Sequence, residues 1–292
     1  MERNATEPAR LAPAPLPRPP ETMRPDRGEV MNARGSGPRT ALSPGVTFEC
    51  LVGRHNGARS LTTGFVTLAP GAELSSHTSP VSTSITLLSG RARLLVDGRE
   101  YTLEPGDNAV IAPEQVRAMS TATDTEGAVF HLALASDTLT HVPVPECASQ
   151  RLMPPDFPGV PGGERINRFA TAPRSAAGPN TEFIDFFNDA LVPGITMSGG
   201  YGLFHPGGRL PAHVHDFDES ICITSGRATC VVEGRRYAMS DGATALQPRG
   251  RVHYFINESN GPMEMLWVYA GPRPERIVVD ERCATLEGDP WR

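Results

Sequence analysis

The 292-residue chain predicts an all-β protein made of two tandem antiparallel barrels, and three observations carry that prediction. Short β-prone runs such as "ITLLSG", "ARLLVDG", "NAVIAP" and "AVFHLALA" recur between turn signals every roughly 8 to 12 residues, the spacing of strands in a sandwich or barrel. Stretches of helical period are nearly absent. The third observation is an internal repeat: "SITLLSGRARLLVDGREYTLEPGDNAV" from Ser84 and "SICITSGRATCVVEGRRYAMSDGATAL" from Ser220 run together without a gap at an offset of 136 residues. At the same offset Gly71 meets Gly207, His77 meets His213, Gly90 meets Gly226, Gly106 meets Gly242 and Val116 meets Val252.

Taken in order, residues 1–45 are rich in Pro, Arg and Gly without a hydrophobic period, the composition of a disordered tail that docks at most in part. Residues 46–145 form the first β domain. Residues 146–180, with "PPDFPGVPGG", read as a linker in which Pro and Gly suppress regular structure. The second domain spans 181–275, and 276–292 is a C-terminal extension.

Composition bounds the function. A formal net charge of −6 offers no field for neutralising phosphates, so nucleic acid is not an expected partner. No run reaches the roughly 18 apolar residues of a membrane helix, and "MERNATEPAR" lacks the apolar core of a signal peptide, so the expected location is cytoplasmic. Cys50, Cys147, Cys222, Cys230 and Cys283 are scattered, with no Cys-x-x-Cys pair, and read as reduced thiols.

Chemistry concentrates in the second repeat. In "AHVHDFDES", His213, His215 and Glu219 share strand parity and so face one side, which in a small barrel is the lumen. His253, in "VHYFIN", lies on a neighbouring strand that faces them if the meander closes. Three imidazoles and a carboxylate suit a borderline divalent ion: Fe, Mn, Co, Ni, Cu or Zn. On an octahedral ion they leave two positions free for substrate, water or dioxygen.

These residues resemble the cupin superfamily. Its first motif, G(x)5HxH(x)3-4E(x)6G, is met by Gly207, His213, His215, Glu219 and Gly226, and its second, G(x)5PxG(x)2H(x)3N, by Gly242, Pro248, Gly250, His253 and Asn257. The resemblance covers both repeats and implies a bicupin, two double-stranded β-helix (jelly-roll) barrels. It also implies that His213, His215, Glu219 and His253 are the metal ligands. The first repeat departs sharply: His77 is kept, but Ser79, Thr83 and Arg117 replace the other three, and a guanidinium there opposes a cation. The N-terminal barrel is therefore expected to hold no metal and to be structural, an oligomer surface, or the binder of a small anion through Arg117 and His77.

The implied function is that of a metal-dependent enzyme on a small polar metabolite in the C-terminal barrel. Oxidoreductase chemistry of the dioxygenase kind leads, with Glu219 as catalytic base. A hydrolase, isomerase or lyase, such as an aminohydrolase of the ureidoglycine type, and a non-catalytic binding bicupin are the alternatives. Phe255 shares parity with His253 and is a candidate pocket wall, with Tyr254 pointing outward. Arg209 and Trp267 are further candidate substrate contacts, although "MEMLWVYAG" leaves open whether Met265, Trp267 and Tyr269 or Leu266 and Val268 face the lumen. His205 is a candidate for the cavity mouth, whereas His55, His131 and His141 read as ordinary strand or loop residues. Cys222 has the opposite parity to Glu219 and is expected to face away. Monomer and homodimer are both compatible with the pattern, since a bicupin can satisfy barrel pairing within one chain.

Overall fold

The computed structural model describes residues 18–284. Each repeat folds into two antiparallel sheets closed on each other. The repeat is visible strand by strand: Thr62–Leu68 matches Ser198–Phe204, Thr83–Ser89 matches Glu219–Ser225, and Asn108–Ile111 matches Thr244–Gln247, each pair at the offset of 136. Helix is confined, among the described residues, to three short 3-10 segments. The turns explain two of the paired glycines. Gly90 and Gly226 both have positive φ, and a Cβ on either would lie 2.1 or 2.2 Å from a carbonyl oxygen, that of Gly127 or Pro262.

Period-2 alternation sorts each strand between two cores. In Glu219–Ser225, Ile221 and Ile223 point into the second barrel, whereas Ser220 and Cys222 face the first. Ser220 shares a buried 2.6 Å hydrogen bond with Thr63, and Cys222 joins Leu51, Phe65, Phe186, Leu266 and Val268 in an apolar layer between the barrels. Both faces of these strands are thus buried, which is why "ITLLSG" and "SICITS" read as nearly continuous apolar runs. The two barrels pair within one chain, and Cys222 faces away from the lumen as its parity requires.

The segments outside the repeats differ from expectation. Of the tail expected to be disordered over 1–45, residues 1–17 lie outside the described residues, and the remainder is laid across both barrels. Val30–Asn32 pairs antiparallel with Thr244–Gln247 of the second barrel, and Arg39–Ser43 pairs with Val46–Val52 of the first. Arg27 donates to Asp218 at 2.7 and 3.0 Å, and Glu29 accepts from Arg235 and Tyr237. The composition lacks an apolar period because the segment is held by strand addition at exposed edges and by ion pairs rather than by a core face of its own. The linker behaves likewise. Arg151–Leu152 pairs in parallel with Arg99–Leu103, and Arg165–Asn167 pairs with Asn108–Ile111. Pro and Gly exclude long strands there but leave two- and three-residue pieces able to cover an edge.

Glu164 anchors the linker. It is 1% exposed, accepts from Arg99 Nε at 2.6 Å and Nη2 at 2.8 Å, from Gln115 at 3.1 Å, and from the Tyr101 hydroxyl. Burial opposes its charge, but the donors from Arg99 and Tyr101 outweigh burial and hold the carboxyl below its ordinary range. Such a group stabilises the fold above the unfolded carboxylate pKa of about 4.3, and that contribution fades as pH falls through the folded value. Glu164→Gln should therefore lower unfolding free energy by about 1 to 2 kcal/mol at pH 7, because it removes the charged acceptor of Arg99 and Tyr101 while Arg99 keeps Asp97 at 3.7 Å. Urea unfolding across pH should show the gap between variant and wild type closing toward acid; an equal gap at every pH contradicts this account.

Candidate metal centre

His213 lies on the short strand His213–Val214, paired with His253 of His253–Ile256 on one side and with Ile277–Val278 on the other. Glu219 opens the strand Glu219–Ser225, in register with Tyr269 and Gln247. His215 follows in the connecting turn, stacked at 5.0 Å and 5° on Phe217, with its carbonyl accepting from the Gly250 N–H at 3.0 Å. Side-chain donors from all four residues lie within 4.8 Å of one another, and all four residues are buried. Among the described residues this is the one group of three or more His, Cys, Asp or Glu side chains placed so closely.

Each imidazole is fixed in one tautomer by a backbone carbonyl. Nδ1 of His213 lies 2.9 Å from the Pro211 oxygen, that of His215 2.6 Å from Phe217 and that of His253 2.9 Å from Arg251. A carbonyl only accepts, so in each case Nδ1–H donates and a neutral ring keeps its Nε2 lone pair for the interior. Nε2 of His253 and of His215 then stand 2.9 and 3.1 Å from the same Glu219 oxygen. Lone pairs facing a carboxylate need a shared cation. An ion with bonds of about 2.1 Å holds its donors about 3 to 4 Å apart, so the set fits a divalent ion with small adjustment. Burial, with His253 and Arg276, outweighs Glu219 and pushes His213 well below its ordinary range. Glu219 is the converse: burial opposes its charge, yet the adjacent His215 and His253 rings, wherever they carry positive charge, hold its carboxyl low, to about 2.

Asp218, 3% exposed, braces the centre from outside. Besides Arg27 it accepts the backbone N–H of Arg59 at 2.7 Å and of Arg249 at 3.1 Å. It thereby ties the loop carrying His215 to the turn preceding His253, to the first barrel and to the N-terminal segment.

The centre opens into a cavity of about 180 Å³. Phe255 and Trp267 line it, as expected, and Met265 and Tyr269 join them while Leu266 and Val268 turn to the inter-barrel layer. The buried indole N–H of Trp267 has no partner. Arg209 does not reach the cavity. It bridges by backbone to Ile256, the neighbour of inward-facing Phe255, so its side chain turns outward to Glu281 at 2.8 Å and over the Tyr254 ring at 5.0 Å, while Leu210 takes the inward place. Tyr254 points away from the lumen. His205 also stays outside, 3.0 Å from Glu182.

The sequence reading missed the cavity's charged rim. Arg276 and Asp185 line it, the former delivered by the segment just before Ile277–Val278, whose pairing with the His213 strand fixes its place. Tyr269 lies near Glu219 and Arg276, and burial, ahead of the nearby Glu219 charge, holds its hydroxyl well above its ordinary range.

In the first barrel the matching cavity holds His77, Thr83 and Arg117 in place of ligands, with Ser79 bonded at 2.6 Å to Thr140. No cation-binding group assembles there among the described residues.

A family model described as "Cupin domain" matches the chain twice, at residues 64–133 and 200–269. Among solved structures, the oxalate decarboxylase of Lactobacillus farciminis in a formate complex is similar at a TM-score of 0.68, with 16% identity, covering 89% of this chain and 91% of that one. The oxalate decarboxylase of Bacillus subtilis at pH 4.6 gives 0.67, 15%, 95% and 90%, and AerE of Microcystis aeruginosa gives 0.57, 16%, 80% and 95%. A curated protein, "Endoribonuclease YbeY" of Myxococcus xanthus, is 39% identical over 115 residues, so the chain spans only 38% of that relative's length and 39% of its own.

Metal analysis checks the centre. The purified chain should carry about one divalent ion, and His213→Ala or His253→Ala should weaken its affinity by more than the 10- to 100-fold typical of lost outer partners. His77→Ala should leave the content unchanged. Loss of metal in that variant instead would overturn the assignment to the second barrel.

Proposed function

Because the chain belongs to the cupin superfamily as a two-domain member, we propose that its second barrel is the active site of a metal-dependent enzyme acting on a small carboxylate. The observation that carries this reading is Arg276, a guanidinium on the rim of a largely apolar cavity whose floor is His213, Glu219 and His253. A divalent ion held by His213, His215, Glu219 and His253, with Fe(II) or Mn(II) foremost, supplies Lewis acidity or one-electron chemistry toward dioxygen.

The remaining groups divide the work. Arg276 pairs with the substrate carboxylate through charge-assisted hydrogen bonds. Phe255, Met265 and Trp267 exclude water. Glu219 is the candidate base for a substrate proton, which the carboxylate keeps until product leaves, and Tyr269 stands near it.

The chemistry we assign is oxidoreductase in class, of the dioxygenase kind, supported by the three-His-one-Glu donor set and the water-excluding walls. A non-redox lyase is the second reading. It is favoured by Tyr269, whose hydroxyl stays protonated next to Arg276 and is placed to return a proton to a carbanion left by bond cleavage. The short endoribonuclease match carries no activity here, since the net charge of −6 gives no phosphate-binding field.

Loading the protein with Fe(II) or Mn(II) and offering small α-keto, enol and dicarboxylic acids, with oxygen uptake and carbon dioxide release followed together, separates these readings. Oxygen consumed in step with product supports the dioxygenase, and product without oxygen uptake supports the lyase. Binding with no turnover of any acid removes the enzymatic reading. Arg276→Leu should raise KM for the active acid about 10- to 100-fold, the loss of one charged hydrogen bond, with metal content unaltered. An unchanged KM would displace Arg276 from substrate binding.

A further inference from the structure

The cavity above the metal centre carries two opposite charges, and the protein pairs neither. Arg276 and Asp185 both line it. Arg276 precedes Ile277–Val278, which pairs with the His213 strand, whereas Asp185 lies in Thr181–Phe187, a strand of the opposite sheet. Asp185 has the parity of Phe183, which faces the second-barrel core, while Ile184 and Phe186 turn to the inter-barrel layer. Nearby charges on the same segments are satisfied. Glu182 holds Arg174 at 3.2 Å and His205 at 3.0 Å, and Arg273 holds Asp189 at 2.6 Å. Among the described residues, no carboxylate lies within ion-pairing distance of Arg276 and no cation within that of Asp185. The two act on each other through charge alone: burial in the cavity wall raises the Asp185 pKa, the Arg276 charge opposes, and no hydrogen bond joins them. Asp185 remains open to solvent at the mouth. Its wall-facing side is desolvated without a partner, a state that an incoming cation relieves.

The cavity specifies the rest of the ligand. Its room of about 180 Å³ equals about six waters at liquid density, enough for a small amino acid and too little for a peptide. Apolar walls, Phe255, Met265 and Trp267 among them, lead from the rim to the floor of His213, Glu219 and His253. Lateral register sets Asp185 opposite Gly200, and Gly200 opposite Trp267. A Cβ on Gly200 would lie 2.8 Å from the indole, so glycine there lets the Trp267 ring cross toward Asp185. An ammonium at this end of the cavity meets a carboxylate and an aromatic wall, two surroundings that favour it. A carboxylate at the other end meets a guanidinium.

We propose that the second barrel takes a small α-amino acid, with its carboxylate on Arg276, its ammonium on Asp185 and its side chain directed at the metal ligands. This assignment rests on the carboxylate reading of the same cavity and narrows it, so amino acids belong among the acids offered to the loaded protein. Asp185 is then the selecting residue: it attracts the ammonium and repels a second carboxylate from that end.

Calorimetric titration of the Mn(II)-loaded full chain with three matched pairs tests this: alanine and propionate, serine and 3-hydroxypropionate, valine and 3-methylbutanoate. In at least one pair wild type should bind the amino acid about 10- to 100-fold more tightly than its des-amino partner, the worth of one charged hydrogen bond. Asp185→Asn should lose that preference yet bind the des-amino acid no more weakly than wild type, a split that a merely structural defect would not produce. Arg276→Leu should weaken both members alike. Des-amino acids bound as tightly as their amino acids in wild type overturn the proposal and leave the carboxylate reading standing. A preference that survives in Asp185→Asn overturns it too, as does an Arg276→Leu loss confined to the amino acids. Failure of every amino acid and every acid to bind takes both readings down. Asp185→Ala serves in the same comparison should Asp185→Asn not fold.

Discussion

Three hydrogen bonds from imidazole Nδ1–H to backbone carbonyls govern what the second barrel can do. Each joins a histidine to a residue only two positions away, Pro211, Phe217 or Arg251, so the tautomer is set locally by the strand or turn that carries the ring. The consequence is collective. Nε2 lone pairs and the Glu219 carboxylate converge in a volume from which water is largely excluded, and without a cation they oppose one another. The fold supplies the rest of the arrangement. The His213–His253 pairing fixes two ligands across adjacent strands, Phe217 stacks under the third, and Asp218 clamps the loops that would otherwise let the set spread.

The same frame with other side chains gives a different interior. In the first barrel His77 keeps the same Nδ1 bond to a carbonyl two residues earlier, but its partners are hydroxyls and Arg117. The strand pairing and the turns are the same in both repeats, as the shared inter-barrel layer demands. The ligand positions face the lumen and take no part in that layer, so packing between the barrels does not constrain them. Retaining a degenerate barrel is then understandable on packing grounds alone: Phe65, Val110 and Leu51 cover apolar surface of the second barrel that would otherwise meet solvent.

Much of this was legible in the sequence. The repeat located both barrels, and strand parity placed His213, Phe255 and Cys222, while His215 and Glu219 reach the site across a turn. Parity failed where the chain leaves regular strand. Arg209 precedes its strand and turns outward, and Asp218, of opposite parity to Glu219, is buried by partners that come from residues 27, 59 and 249. Arg276 lies beyond the last repeat strand, where only its pairing context brings it over the cavity. Residues 18–45 and the linker carry short strands that composition did not indicate, for a related reason. Their order comes from edges and charges supplied by distant parts of the chain, and local composition does not contain those partners.

The account rests on a single divalent ion held by four named side chains in one barrel and none in the other. Anomalous diffraction from crystals of the metal-loaded chain, collected at the absorption edge of the metal found by elemental analysis, tests this directly. The account predicts one peak, bonded to Nε2 of His213, His215 and His253 and to the Glu219 carboxylate. A peak beside His77 and Arg117, or a second-barrel peak that leaves any of the three Nε2 atoms unbonded, would contradict it.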